Sequence, residues 1–324
     1  MFFTSYFISI EKIKKYTGPL STAIVIVSFF YLGKTLYQYG IKFDISLLDL
    51  KFWLILLALV SVYFISIIIL SLSWYRMLKA LKNKITFLQC LHIMAKTQFA
   101  KYIPGNVFHY AGRHVLGARA GVPHMDLVTT VLLETVWYAF TAILLGSGCL
   151  IFYSYSLLLK NTNFFVLAAI FLLVPFFIYA FFSLEKIKKV SNLSKISLPD
   201  FVRLSFSTIS LYLIALFLYS ILFWSLSQQI ARQELPFLLL AGVFCLSWLI
   251  GFITPGAPAG IGVREAVMVA SLANVMEKPT VLSLAIAFRL ATTVGETLLF
   301  TSTLLVPPKY RLDFKEDEKG APNS

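Results

Sequence analysis

Long apolar stretches separated by short polar segments dominate the sequence, and six of them predict membrane-spanning helices. Each contains about 20 residues or more with few charges, which is enough for a helix to cross a hydrocarbon core about 30 Å thick. The six predicted spans lie at about 20–39, 53–73, 126–153, 163–184, 204–228 and 280–305.

Two further apolar regions are interrupted by a Pro-Gly pair, and neither predicts a complete span. The arms on either side of these pairs lie at about 86–100 and 105–120, and then at about 236–253 and 258–274. Non-helical backbone at membrane depth is tolerated where it is buried in protein or lines a cavity. We therefore predict two re-entrant helical hairpins, the first broken at Pro104 and Gly105 and the second at Pro255 and Gly256.

The composition assigns these elements to one membrane domain. Hydrophobic residues make up 59% of the chain and charged residues only 13%, whereas about a quarter of a soluble domain is charged. The predicted transmembrane domain covers 19–305 and leaves no room for a large polar domain. An amphipathic interfacial segment is predicted at 1–18, and a polar cytoplasmic tail at 306–324.

The positive charges indicate orientation. The formal net charge is +13, and lysines and arginines cluster in alternate loops between the apolar stretches, as expected when cytoplasmic loops are basic. No nucleic-acid partner is expected, because topology accounts for this charge. With every basic loop inside, both termini are cytoplasmic, provided that each hairpin returns to the side from which it entered.

This topology predicts an inverted repeat. Each half reads span, span, hairpin, span, and the halves at about 19–153 and 163–305 have opposite orientations. A Thr-Thr-Val sequence also precedes Glu134 in the first half and Glu296 in the second. We therefore predict an all-α polytopic fold of six full spans and two hairpins in a 3+3 inverted-topology repeat, an arrangement common among secondary transporters.

Polar and ionisable residues near the two breaks are the candidate substrate-binding residues. Charges at membrane depth are costly and usually functional. Arginine forks match phosphate geometry, and helix N-termini favour anions, so these residues predict a site for an anionic headgroup. Glu134 and Glu296 are expected to act as counter-ions or proton carriers. The candidates are Lys101, Asn106, Arg113, Glu134, Arg264, Glu265, Arg289 and Glu296.

A structural alternative exists for several of these charges. Arg264 with Glu265, or Arg289 with Glu296, could be internal ion pairs that only hold helices together. The histidines do not favour a metal site, because the spacing of His109 and His114 is poor for one helix face. No catalytic residue, metal or other cofactor is predicted.

The two broken regions resemble a known family. Residues 101–106, continuing to Gly112-Arg113, resemble the first signature of the lysylphosphatidylglycerol synthase transmembrane region, also called a flippase-like family. Residues 255–256 and 260–266 are similar to its second signature, although Ala-Pro-Ala stands at 257–259 where a glycine-richer stretch is common. The resemblance covers roughly 15–305.

The resemblance implies a protein of the bacterial or archaeal cytoplasmic membrane with a lipid-linked substrate. In bifunctional members this domain moves an aminoacylated phospholipid between leaflets, and a separate soluble domain transfers the amino acid. The chain ends soon after its last predicted span, so no synthase domain and no lysyl transfer are expected. Standalone members are associated with cell-envelope glycan pathways. Envelope-glycan biosynthesis proteins or a second copy of the chain are therefore the candidate protein partners.

The predicted function is that of a transporter and not an enzyme: a lipid translocase for an anionic phospholipid or a polyprenyl-phosphate-linked lipid. One alternative is a membrane glycosyltransferase or phosphotransferase, for which Asp44 and Asp49 are the only acids in the first external loop. Another is a scaffold subunit that transports nothing.

Overall fold

A computed structural model describes residues 49–102, 107–157, 193, 196–254 and 257–305. Within these ranges the secondary structure is helical, as predicted. The helices in chain order are α1 (Leu50–Ala80), α2 (Phe87–Gln98), α3 (Phe108–Arg119), α4 (His124–Leu157), α5 (Leu198–Ala231), α6 (Phe237–Ile253), α7 (Val263–Leu272) and α8 (Lys278–Leu305). Two 3₁₀ turns, Phe99–Tyr102 and Pro258–Gly260, accompany them.

Four long helices are apolar enough to cross a membrane, and they confirm four of the six predicted spans. These are α1, α4, α5 and α8. The predicted spans at 20–39 and 163–184 lie outside the described residues, as do the predicted N-terminal segment 1–18 and the tail 306–324.

The outer faces of the long helices are apolar. On α1, Leu54, Leu57 and Ile68 are each about half exposed or more, whereas Leu59 and Trp74 on the same helix are completely buried. Contiguous exposed apolar surface of this kind is unusual in a soluble protein. It fits contact with lipid. One face of each long helix therefore packs on protein, and the other presents apolar side chains to the membrane.

Local sequence determines where several helices begin. Asp49 precedes α1, and its carboxylate accepts a hydrogen bond from the backbone N–H of Phe52 at 2.8 Å. Thr86 and Gln89 form a reciprocal capping box at the start of α2. Ser197 caps α5 by accepting a hydrogen bond from the N–H of Asp200. Such caps satisfy N–H groups that the first helical turn leaves unpaired.

The predicted hairpin arms are helices. They contain 12 residues in α2 and 12 in α3, then 17 in α6 and 10 in α7. A 3₁₀ turn follows α2, and another precedes α7. Gly262 has a φ of +84° at the start of α7, in the region of backbone conformation that glycine adopts readily. The predicted breaks Pro104, Gly105, Pro255 and Gly256, and the candidate Asn106, lie outside the described residues.

The two halves use the same helix pairings. Helix α1 packs on α5, its counterpart in the second half. Each contact within one half (α1 with α2, α2 with α3, α3 with α4) has its equivalent in the other half (α5 with α6, α6 with α7, α7 with α8). The crossed pairs α4 with α6 and α8 with α2 also correspond, and the two 3₁₀ turns touch.

Small residues allow the close approach of α4 and α6. A Cβ added at Gly242 would lie 2.6 Å from the Leu150 side chain and 3.0 Å from the carbonyl oxygen of Gly146. Small residues at helix crossings are typical of membrane bundles, where packing drives association. This close contact brings α6 against the first half of the chain.

Candidate functional site

A cavity of about 170 Å³ lies between the four shorter helices and the four long ones of the described residues. Both halves of the chain contribute to its wall. All seven charged side chains that line it are among the residues predicted from the sequence. They are Lys101, Arg113, Glu134, Arg264, Glu265, Arg289 and Glu296.

The first ion pair joins α3 to α4. The guanidinium of Arg113 donates to both carboxylate oxygens of Glu134, at 2.7 and 3.2 Å. Arg113 is only 2% exposed, and its guanidinium carbon lies 5.2 Å from the Trp74 ring centroid and 5.0 Å from that of Tyr110. Two parallel hydrogen bonds and two aromatic faces therefore hold this arginine.

The second ion pair joins α7 to α8. Arg289 donates to Glu265 at 2.7 Å and to the carbonyl oxygen of Ala259, also at 2.7 Å. The other carboxylate oxygen of Glu265 accepts the backbone N–H of Gly262 at 2.8 Å. Glu265 thus stabilises the start of its own helix while it neutralises Arg289.

The third ion pair connects the two halves. Lys101, in the 3₁₀ turn after α2, donates to Glu296 of α8 at 2.5 Å. The Tyr102 hydroxyl lies 3.1 Å from the Thr293 hydroxyl, within hydrogen-bond distance. The Lys101 ammonium also lies 5.8 Å from the ring centroid of Tyr63. The 3₁₀ turn after α2 is therefore held against α8.

Arg264 differs from the other three cations. In the described part of the chain it pairs with no carboxylate, and its buried Nε has no hydrogen-bond partner. Its guanidinium carbon lies 5.4 Å from the Trp248 ring centroid, within the range of a cation–π interaction.

Two glycines make room for the Arg264 side chain. A Cβ at Gly251 of α6 would lie 2.3 Å from Arg264 Cγ, and a Cβ at Gly260 would lie 2.6 Å from Arg264 Nε. Gly260 also has a φ of +72°, which disfavours any side chain there. The arginine therefore passes through a slot that only glycines leave open.

Several buried polar atoms of the cavity wall lack partners. Buried polar groups normally have hydrogen bonds, so a cluster of unsatisfied ones needs an explanation, which an ordered water, an ion or a ligand would each supply. Five such atoms belong to side chains that line the cavity. They are Tyr63 Oη, His109 Nδ1, Arg113 Nε, Arg264 Nε and Glu296 Oε2.

The whole-chain comparison decides the family. A family model described as the lysylphosphatidylglycerol synthase TM region matches residues 20–299. The chain belongs to this family. No curated protein matches it. The family and the long apolar helices make it an integral membrane protein of lipid-related pathways.

Within this member of the lysylphosphatidylglycerol synthase TM family, the ion pairs differ from the alternative considered from sequence. Arg289 pairs with Glu265 instead of Glu296, and Arg264 pairs with neither acid. Consecutive residues of a helix do not face each other, so Arg264 and Glu265 point in different directions. Glu296 lies two turns beyond Arg289, and Lys101 neutralises it instead.

Three residues that shape the cavity of this family member are absent from the sequence prediction. Trp248 and Tyr63 line it, and Gly251 opens the slot for Arg264. In sequence, an aromatic residue or a glycine in an apolar helix looks the same whether it faces lipid, a neighbouring helix or a cavity. The one available signal is the i, i+3 spacing of Trp248 and Gly251, which puts them on one face of α6.

Proposed function

We propose that the protein is a lipid translocase that moves an anionic phospholipid or a polyprenyl-phosphate-linked lipid between the leaflets of the membrane. The observation that carries this proposal is the cavity, where charged side chains from both predicted hairpins and from the long helices α4 and α8 meet, and where Arg264 pairs with no carboxylate of the described residues. Such a site attracts an anionic headgroup into the protein while apolar tails stay in lipid.

The inverted repeat is part of the proposal. The same order of long, short, short and long helices occurs in both halves, and each helix pairing within a half has its equivalent in the other. The alternation of basic loops supports opposite orientations, with both termini in the cytoplasm. In this arrangement the hairpins enter from opposite sides of a bacterial or archaeal cytoplasmic membrane, and their 3₁₀ turns meet at the cavity.

Repeats of this kind suit alternating access. In many secondary transporters, one repeat rocks against the other around a site at the repeat interface. Of the three ion pairs at the cavity, Lys101–Glu296 is the one that joins the two halves. A rocking motion that separates the halves at this point would break it. The other two ion pairs each lie within one half and would move as units.

The enzyme alternative finds little support in the described residues. Asp49, one of the two acids it invokes, caps α1 through a hydrogen bond to the Phe52 N–H. This bond accounts for Asp49 in structural terms, and Asp44 lies outside the described residues. We therefore propose transport and not catalysis.

A vesicle assay tests the proposed function. The purified full chain is reconstituted into liposomes that contain fluorescent phosphatidylglycerol, and an impermeant quencher reports the fraction of probe in the outer leaflet over time. We expect protein-dependent movement of the probe, and we expect Arg264→Gln to slow it about tenfold or more, because a charged hydrogen bond to the headgroup is lost.

The matched control is Arg203→Gln, which removes the same charge from an exposed position on α5. It should leave the rate unchanged. If folded protein moves no anionic lipid, whether glycerophospholipid or polyprenyl phosphate, the translocase proposal is wrong. Transport that survives substitutions in both hairpins would also contradict the assigned site.

A further inference from the structure

We propose that the cavity is built for a single negative charge, that the group it accepts is a phosphodiester, and that Arg264 holds it. This inference rests on the proposed function and specifies its substrate class. The expected substrates are lipids whose phosphate is esterified on both sides. Lipids that end in a phosphomonoester or a diphosphate are expected to bind less well.

The first support is the balance of charges. Among the residues that the structure describes, four cationic and three anionic side chains line the cavity. Each of the three carboxylates is already paired, Glu134 with Arg113, Glu265 with Arg289 and Glu296 with Lys101. The cations exceed the anions by one, and the excess charge belongs to Arg264.

This balance selects the charge of the ligand. An isolated charge away from water is unfavourable, so one monoanion improves the energy of the occupied cavity by neutralising Arg264. A group with two charges would leave one negative charge uncompensated, or would have to disrupt an existing ion pair to find a second cation. A phosphodiester carries one charge, and a phosphomonoester at neutral pH carries between one and two.

The second support is the placement of Arg264. Its position between Gly251 and Gly260, with one face near Trp248, restricts the guanidinium to few orientations. A guanidinium that is already restricted loses little conformational entropy when it binds a ligand. Its parallel N–H groups fit two phosphate oxygens.

The third support is the presence of uncharged unsatisfied atoms on the same wall. Tyr63 Oη is buried without a partner, and so is His109 Nδ1. A phenol can donate or accept a hydrogen bond, as can an imidazole according to its tautomer. They suit hydroxyl groups beyond the phosphate, which glycerol and sugar headgroups both offer.

Two sources share this chemistry, a glycerophospholipid and a polyprenyl phosphosugar. The test therefore uses short-chain phosphatidylglycerol and a short-chain prenyl phosphosugar as phosphodiesters. Short-chain phosphatidic acid and the matching prenyl phosphate serve as phosphomonoesters. Each is titrated by calorimetry into the full chain in uncharged detergent at about pH 8, where a phosphomonoester carries nearly two charges.

We expect at least one phosphodiester to bind about tenfold or more tightly than the phosphomonoester with the same tails. The pair that shows this preference identifies the source of the ligand. Equal or tighter binding of both phosphomonoesters by the wild-type protein overturns the inference. If the vesicle assay still detects lipid movement in that case, the proposed function stands, whereas loss of both binding and movement rejects both.

A pair of glycine variants tests the slot without removing a charge. In Gly251→Ala, the new Cβ would lie 2.3 Å from Arg264 Cγ, so the guanidinium must move. Gly148→Ala is the matched control in α4, because its Cβ would meet nothing within 4 Å. We expect Gly251→Ala to weaken phosphodiester binding about tenfold in protein that is still folded, and Gly148→Ala to bind as the wild type does. Equal affinities in these two variants would contradict the role of Arg264.

Discussion

Replacement of Glu134 by glutamine is expected to destabilise the folded protein by about 3–5 kcal/mol. The substitution keeps the size of the side chain but leaves Arg113 as a buried cation without a counter-ion. Arg113 is 2% exposed, so water cannot replace the carboxylate. The nearby Trp74 and Tyr110 rings attract the guanidinium, but a cation–π contact compensates only part of a lost ion pair. The free energy of unfolding in mixed detergent micelles measures the effect.

Two comparisons make this result specific. Glu234→Gln removes a carboxylate from an exposed loop position and should change the free energy of unfolding by no more than about 0.5 kcal/mol. The double variant Arg113→Met, Glu134→Leu removes both charges and should recover most of the lost stability, because no buried charge remains unpaired. A Glu134→Gln protein as stable as Glu234→Gln would show that the ion pair contributes nothing.

The sequence predicts the long helices well because the hydropathy of about 20 consecutive residues adds up to a clear signal. Hydropathy over about 20 residues identifies α5, predicted at about 204–228 and found at Leu198–Ala231. The additional turns are polar or capped, as by Ser197, and extend beyond the apolar stretch. Hydropathy locates the membrane-embedded part of a helix, whereas capping residues determine its ends.

The cavity residues are predictable for a different reason. A charge inside an apolar segment is costly enough that chance rarely retains it, so Arg113 and Glu296 stand out in the sequence. Their partners do not follow from the same argument. Lys101 meets Glu296 across 195 positions of the chain, and only the packing of α2 and the following 3₁₀ turn on α8 brings them together.

The unpaired arginine has an origin in the sequence. Arg113 follows Pro104 by nine residues, and Arg264 follows Pro255 by nine. A fully symmetric protein would pair Arg264 with Glu296, as Arg113 pairs with Glu134. Instead, Lys101 occupies Glu296.

The position equivalent to Lys101 in the second half, three residues before the proline, is Phe252. Among the described residues each half contributes two cations to the cavity, but the first half contributes one acid and the second half two. Lys101 pairs with Glu296, so the acid that Arg264 would otherwise pair with is already neutralised. The unequal charges of the two halves, and not their resemblance, create the proposed anion site.

Glu296→Gln is therefore expected to change which lipid phosphate the cavity prefers. The substitution frees Lys101 while Arg264 stays unpaired, so the excess grows from one positive charge to two. We expect affinity for short-chain phosphatidic acid, relative to phosphatidylglycerol, to rise about tenfold or more over the wild-type ratio. Calorimetric titration at about pH 8, where the monoester is nearly doubly charged, measures both affinities. Glu234→Gln is the control and should keep the wild-type ratio.

Lys101→Met should have the opposite consequence, because it frees Glu296 to neutralise Arg264. The charges in the cavity then balance, and phosphodiester binding is expected to fall about tenfold although Arg264 itself is intact. If Lys101 only bound the headgroup directly, its replacement would also weaken binding. In that case, however, a further substitution of Glu296 would not restore the lost affinity. The double variant Lys101→Met, Glu296→Gln restores the excess of one and should recover phosphodiester binding. Failure of the folded double variant to recover it would contradict charge balance as the basis of selection.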